Sequence, residues 1–313
     1  MKNKKIPLLE IDNLSLSFNR YKDEKSYKKE DLETIRDFSL ELYEGEILSI
    51  VGSSGSGKSL LAHALLGILP SNSTIKGDIK FKGEVLSEKK KEKLRGDKIQ
   101  LIPQSISYLD PLMKIERQVR ASSKTSLSHK RQRESFEKYS LHEKTEDMYP
   151  FQLSGGMARR VLLSIVDQKD SDIIIADEPT PGLELDLAMK TLKHFREFAD
   201  KGKGVLLITH DLDLALKVSD RVAVFYGGSV IEIAPVSDFI KGEKYLRHPY
   251  TKALFNALPQ NGFKSIPGVQ PLTKDLGSGC AFYNRCNLKT RACKNPIEMI
   301  DIRSGKVRCI HAT

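Results

Sequence analysis

The stretch EILSIVGSSGSGKSLLAHALLGIL, Glu46 to Leu69, decides the fold. Its first six residues, Glu46 to Val51, form a short apolar run suited to a buried parallel strand. GSSGSGKS, Gly52 to Ser59, follows, and LLAHALLGIL then reads as an apolar helix. Strand, Gly-rich loop and helix in that order are the context that a G-x-x-x-x-G-K-[ST] match requires. Gly52, Gly55 and Gly57, with Ser53, Ser54 and Ser56 between them, let successive backbone N–H groups turn inward around phosphate oxygens. The helix N-terminus adds its positive end. Lys58 is placed to reach β- and γ-phosphates, and the Ser59 hydroxyl suits Mg²⁺.

SDIIIADEPT, Ser171 to Thr180, supplies the second half of such a site. Ile173, Ile174 and Ile175 are β-branched and apolar, as in a buried central strand. The strand ends in Asp177 and Glu178, at the carboxyl edge where open α/β sheets bind ligands. Asp177 suits an indirect hold on Mg²⁺, and Glu178 suits polarising a water for attack on a γ-phosphate.

Composition bounds the class. The 313 residues are 39% hydrophobic and 29% charged, which reads as soluble and globular. No apolar run reaches the roughly 18 residues of a membrane span. The start, MKNKKIPLLEIDN, lacks the apolar core of a signal peptide. The expectation is a cytosolic chain, where thiols stay reduced and clustered cysteines are more often metal ligands than disulfides. The net charge is +10, and residues 260–313, with nine Lys/Arg against three Asp/Glu, carry +6 of it. The other basic concentration, SEKKKEKLRGDK (Ser87 to Lys98), reads as a solvated face.

LSGGM, Leu153 to Met157, narrows the class. With it the sequence resembles the ATP-binding-cassette (ABC) ATPases. GSSGSGKS resembles their Walker A, LSGGM their signature and IIIADEPT their Walker B with its catalytic glutamate. PQS (Pro103 to Ser105) resembles the Q-loop, and LLITHD (Leu206 to Asp211) the segment with the switch histidine. All five stand in the family's order and spacing. The resemblance implies that Ser154, Gly155 and Gly156 form a second anion-binding nest serving the ATP of another subunit, so that a dimer is needed. It implies that Gln104 contacts Mg²⁺ or the attacking water and relays nucleotide state to a transmembrane partner. His210 would hydrogen-bond the γ-phosphate. Phe18, in LSLSFNRY, stands where the family keeps an adenine-stacking aromatic, with Tyr21 the fallback. PGLE follows DEPT, so Glu184 occupies the position of the family's dimer-communicating aspartate, with Asp186 two residues on.

The family narrows further at the end of the chain. HPYTKALFNALP (His248 to Pro259), IPG (Ile266 to Gly268) and GCAFYNRC with two more cysteines resemble the C-terminal extension of the dipeptide, oligopeptide and nickel importer ATPases. Cys280, Cys286, Cys293 and Cys309 are spaced C-x5-C-x6-C-x15-C and are the chain's four cysteines. Structural zinc sites favour C-x2–4-C pairs, which are absent. Four thiolates at other spacings fit a [4Fe–4S] cluster, which several such importers carry in this extension. Zinc and unligated thiols stay open as alternatives.

The expected fold is an α/β P-loop ABC core with an antiparallel β subdomain, an inserted helical subdomain at about 107–168, and a small C-terminal Cys-rich module. Residues 8–51 and 76–103 read as the antiparallel layer. Residues 1–247 would be the nucleotide-binding domain and 248–313 the extension. The resemblance implies a peripheral ATPase subunit at the cytoplasmic face of the cell membrane that powers peptide import. Its implied partners are a second, paralogous ATPase, two permease subunits and, indirectly, an extracellular binding protein. Nickel or metal-chelate import is an alternative, as is a cluster-sensing regulatory subunit with weak ATPase. A nucleic-acid-directed ABC ATPase would explain the positive charge but usually carries two cassettes or a long coiled coil, so no nucleic-acid partner is expected.

Overall fold

The structure is a computed structural model and describes residues 6–21, 29–120 and 128–313. Residues 1–5 of the basic start and 121–127 of the expected helical insertion lie outside the described residues. Strands β1 (Leu9–Tyr21) and β2 (Lys29–Leu42) pair antiparallel, and β3 (Ile47–Val51) follows. Helix α1 (Lys58–Leu66) leads to β4 (Ser73–Phe81), β5 (Glu84–Val85), α2 (Glu88–Leu94) and β6 (Ile99–Ile102). A mostly helical stretch contains α3 (Ile115–Arg120), α4 (Ser128–Lys138) and α5 (Gly155–Asp167). Then come β7 (Ile173–Asp177), α6 (Leu185–Asp200), β8 (Gly204–Thr209), α7 (Leu212–Val218), β9 (Arg221–Tyr226) and β10 (Ser229–Pro235). The chain continues through α8 (Val236–Lys241), α9 (Pro249–Asn256), β11 (Ile300–Ile302) and β12 (Gly305–Val307).

Among the described residues two sheets form. The first runs β2-β1-β4-β5 and is antiparallel. The second runs β11-β12-β10-β9-β3-β8-β7-β6, with β9-β3-β8-β7-β6 parallel. The antiparallel layer is therefore narrower than the ranges 8–51 and 76–103: β6 belongs to the parallel sheet, and so does β3, as its apolar run implied. Every residue of β3, β7 and β8 is buried, the mark of strands covered on both faces. Each such Leu, Ile or Val contributes roughly 1.5–3 kcal/mol on burial.

The end of the chain is stitched into this core. β12 pairs with β10 and carries β11 beyond it, so the hairpin continues the main sheet. A buried ionic hub fastens the junction. Arg247, fully buried, reaches Glu232 of β10 (3.3 Å), Asp238 of α8 (2.7 Å) and the Ile302 carbonyl of β11 (2.8 Å). Glu232, also fully buried, accepts the backbone N–H groups of Arg247 and His248. Removing one partner of such a set strands a buried charge, at a cost of about 3–5 kcal/mol.

Candidate nucleotide site

The loop Gly52–Gly57 leaves the carboxyl end of β3 and enters α1. Gly55 and Gly57 have φ of 73° and 99°, in the left-handed region that favours glycine. A Cβ on Gly57 would lie 2.9 Å from the Thr34 methyl of β2. A Cβ on Gly52 would lie 2.5 Å from the Phe225 carbonyl of β9. The loop is thus seated tightly between two strands. Gly57 caps α1 without a side-chain hydrogen bond; Leu60 N–H returns to the Gly57 carbonyl at 3.1 Å, and the N–H groups at the start of the helix, on Lys58 and Ser59, suit an anion.

A cavity of about 280 Å³ opens over this loop, lined by residues between Ser54 and Leu60 together with Gln104 and Glu178. Lys58 is buried there and donates to the carbonyls of Gly52 and Ser53, both at 2.8 Å. Burial lowers its pKa, with Glu178 and Asp177 opposing. Asp177 ends β7 and is buried, and burial raises its pKa against a hydrogen bond from Ser59. Its Oδ1 is buried with no protein partner. An orphaned carboxylate oxygen beside the Ser59 hydroxyl is the kind of oxygen donor set that suits Mg²⁺.

Glu178 is held at three points. It has φ of 46°, uncommon for a residue with a side chain. Its N–H donates to the Ile208 carbonyl of β8 at 2.8 Å. Its carboxylate oxygens lie 2.9 and 3.0 Å from His210 Nδ1. Its carbonyl accepts from Arg159 of α5 at 3.1 Å. A carboxylate can only accept, so Nδ1 carries the proton in this pair. The sequence reading brings Lys58, Ser59, Gln104, Asp177, Glu178 and His210 forward, and all six lie at or beside this cavity.

Other candidates stand apart from it. Ser154 caps α5, its Oγ accepting from Met157 N at 3.3 Å, and Gly155 and Gly156 open the helix. Ser154 and Gly155 are exposed and lie outside the cavity of their own chain. Glu184 caps α6 without a side-chain bond and is exposed, as is Asp186. Phe18, near the end of β1, is half-buried against the core and does not line the cavity; Tyr21 is exposed.

The four cysteines are free thiols, three of them buried. They share one neighbourhood: burial and the three other thiols push Cys280 up to about 11, and burial with Cys286 and Cys293 raises Cys309. N–H donors aim at the sulfurs. His311 N lies 3.3 Å from Cys309 Sγ and Thr290 N 3.5 Å from Cys293 Sγ; the Phe282 backbone bonds to Cys280. Such donors favour thiolate over thiol. Among the described residues no group of three or more His, Cys, Asp or Glu converges on a single metal ion.

Three residues were missed in the sequence: Arg159, Gln270 and Arg247. Gln270 accepts a hydrogen bond from the Ser53 hydroxyl of the phosphate loop. The only signal for Arg159 was a pair of adjacent arginines in an otherwise apolar helix, ARRVLLSIV.

Comparison with known proteins agrees with this geometry. Residues 35–181 match the family model "ABC transporter", and residues 231–293 match "Oligopeptide/dipeptide transporter, C-terminal region". The chain is 33% identical to the probable D,D-dipeptide transport ATP-binding protein of Escherichia coli K12, over 97% of this chain and 95% of that protein. It is 33% identical to the dipeptide transport ATP-binding protein of Bacillus subtilis 168, over 96% and 94%. Among solved structures it is similar to the dimeric bacterial ABC transporter cassette MJ0796, at 25% identity and a TM-score of 0.63, covering 73% of this chain and 98% of that one. The same cassette bound to ADP and Pi matches equally.

Proposed function

The chain belongs to the ABC transporter ATPases, and on that premise we propose that it is the ATP-hydrolysing subunit of an importer for di- or oligopeptides. The observation that carries this is the cavity joining Lys58, Ser59, Gln104 and Glu178 over a Gly-rich loop, in a chain that aligns nearly end to end with dipeptide-transport ATPases. Backbone N–H groups of residues 52–59 and the Lys58 ammonium bind the phosphates of ATP. Ser59, Gln104 and Asp177 would hold Mg²⁺, which would supply countercharge to the phosphates when bound. Glu178 accepts a proton from the attacking water, and His210 orients the γ-phosphate. Phe18 would stack on adenine, with Tyr21 as the nearby substitute.

The nest at Ser154–Gly156 lies outside the cavity of its own chain, with Ser154 and Gly155 exposed, which supports its acting on ATP held by a second cassette, a paralogue or another copy. Glu184 would carry the signal across that interface. A groove of about 520 Å³ runs between α1, β6 and α5, lined by Leu66, Ile68, Leu101, Tyr108, Leu162 and Ile165 among others. Leu101 lies three residues before Gln104. That continuity supports docking of a permease segment there, with Gln104 relaying nucleotide state. Among the described residues no helix is long and apolar enough to cross a membrane, so the permeases would supply the crossing and this chain would sit peripherally at their inner face.

The cysteines complete the reading as a Cys-rich module within 248–313. Cys280, Cys286, Cys293 and Cys309 would hold a [4Fe–4S] cluster, each thiolate taking its own iron. The clustered sulfurs and the N–H groups aimed at them support this, and such a cluster does not require convergence on one ion.

The test is ATP turnover by the chain assembled with its permeases and partner ATPase. Glu178→Gln should keep ATP binding and lower turnover on the order of 10²-fold or more. Wild-type turnover in that variant would reject Glu178 as the base.

A further inference from the structure

Arg159 lies on the signature helix yet points back into its own chain. Its Nη1 donates to the Glu178 carbonyl at 3.1 Å and its Nη2 to the Pro181 carbonyl at 2.9 Å. Resting on the assignment of Glu178 as base, we infer that Arg159 is a positioning residue that ties the signature helix to the backbone beneath that base. The nest at its N-terminal turn serves the partner's ATP, and Arg159 passes its engagement to this chain's own water-activating carboxylate.

The geometry favours this over simple packing. Two of the three anchors of Glu178 belong to the nucleotide core: its N–H is held by Ile208 and its carboxylate by His210. The third, at the carbonyl, is the only one of the three that comes from α5. Glu178 occupies an uncommon left-handed conformation, which persists only where its surroundings hold it. A change in the tilt of α5 therefore acts on the one anchor that is not fixed to the sheet. The same guanidinium reaches Pro181, three residues on, in the turn that precedes Glu184 and α6. A planar fork with several donors in fixed directions spans two carbonyls in this way; an ammonium, a point charge, does not fix both. Arg159 is partly buried and burial lowers its pKa, while the Glu178 charge opposes that shift. The other arginine of the pair, Arg160, faces elsewhere and donates to the Ser140 carbonyl at 2.8 Å, so adjacent residues of one helix do different work.

The test uses the assembled transporter, with Arg159→Ala, Arg159→Lys and Arg159→Gln, and Glu178→Gln as reference. A base misplaced by a fraction of an ångström loses rate and not substrate affinity. The expected result for Arg159→Ala is a kcat lowered about tenfold or more, with KM for ATP within about twofold and an unchanged melting temperature. Arg159→Lys should recover part of the rate and Arg159→Gln less. Unchanged kcat in Arg159→Ala overturns the inference. So does a fall in kcat matched by a lower melting temperature and a higher KM, which marks a structural role. If Glu178→Gln abolishes turnover while Arg159→Ala leaves kcat unchanged, the inference alone has failed. If Glu178→Gln leaves turnover intact, the assignment of the base has failed and the inference falls with it.

Discussion

The hydroxyl of Ser53, in the phosphate loop, donates a hydrogen bond to the side-chain oxygen of Gln270, in the C-terminal extension. The two residues are 217 positions apart. The contact is not isolated. A Cβ on Gly227, just past β9, would lie 2.8 Å from both Leu276 and Ala281, and Arg285 donates to the Tyr226 hydroxyl at 3.2 Å. On β9 itself, the Phe225 carbonyl lies 2.5 Å from where a Cβ on Gly52 would fall. The end of β9 is thus clasped between the phosphate loop and the segment leading to Cys280.

Gln270→Ala should loosen this clasp. A hydrogen bond of this kind is worth about 1 kcal/mol, or roughly fivefold in a local opening equilibrium. Hydrogen exchange should show Mg·ATP slowing exchange across residues 266–281 in the wild type, and that slowing should diminish in Gln270→Ala. Exchange in the extension that ignores ATP would show the clasp to be silent.

Asp177 gives a pH-dependent prediction. Burial raises its folded pKa above the ordinary 3.8. The folded chain therefore binds the proton more tightly than the unfolded chain, and this contribution to stability is full at low pH and lost as pH rises through the folded pKa. Mg²⁺ competes with that proton. The Mg²⁺-dependent part of the stabilisation by ATP should grow as pH rises from about 4, and Asp177→Asn should remove the trend. Melting curves with and without Mg²⁺ across that range measure it; a flat profile in the wild type would count against Asp177 facing the metal.

Much of the candidate site was legible because its parts are local patterns. A Gly-rich loop between strand and helix, an acidic pair at a strand end and LSGGM each announce themselves within ten residues. Arg159, Gln270 and Arg247 were not legible because their partners lie far off in sequence, and nothing in a single helix or loop says which distant carbonyl a side chain will meet. The antiparallel layer was drawn too wide for a related reason. β6 is short and apolar like its neighbours, and only its pairing with β7 assigns it to the parallel sheet. The pairing of β12 with β10 left no local mark for the same reason.

Anaerobically purified protein should be brown and hold about four iron atoms per chain. Replacing any one of Cys280, Cys286, Cys293 or Cys309 with Ser should lower the iron content and speed exchange in residues 266–313, since a small segment with few large apolar side chains gains order from a metal. Stoichiometric zinc without iron would replace the cluster with a zinc site.

ATP-driven peptide uptake tests the central claim most directly. The chain is reconstituted with its co-purified permeases and partner ATPase in vesicles that enclose Mg·ATP, with the binding protein and a labelled dipeptide outside. The account predicts accumulation that requires enclosed ATP and falls on the order of 10²-fold or more with Glu178→Gln. Vesicles that hydrolyse ATP through Glu178 yet accumulate neither dipeptide nor longer peptide would contradict it.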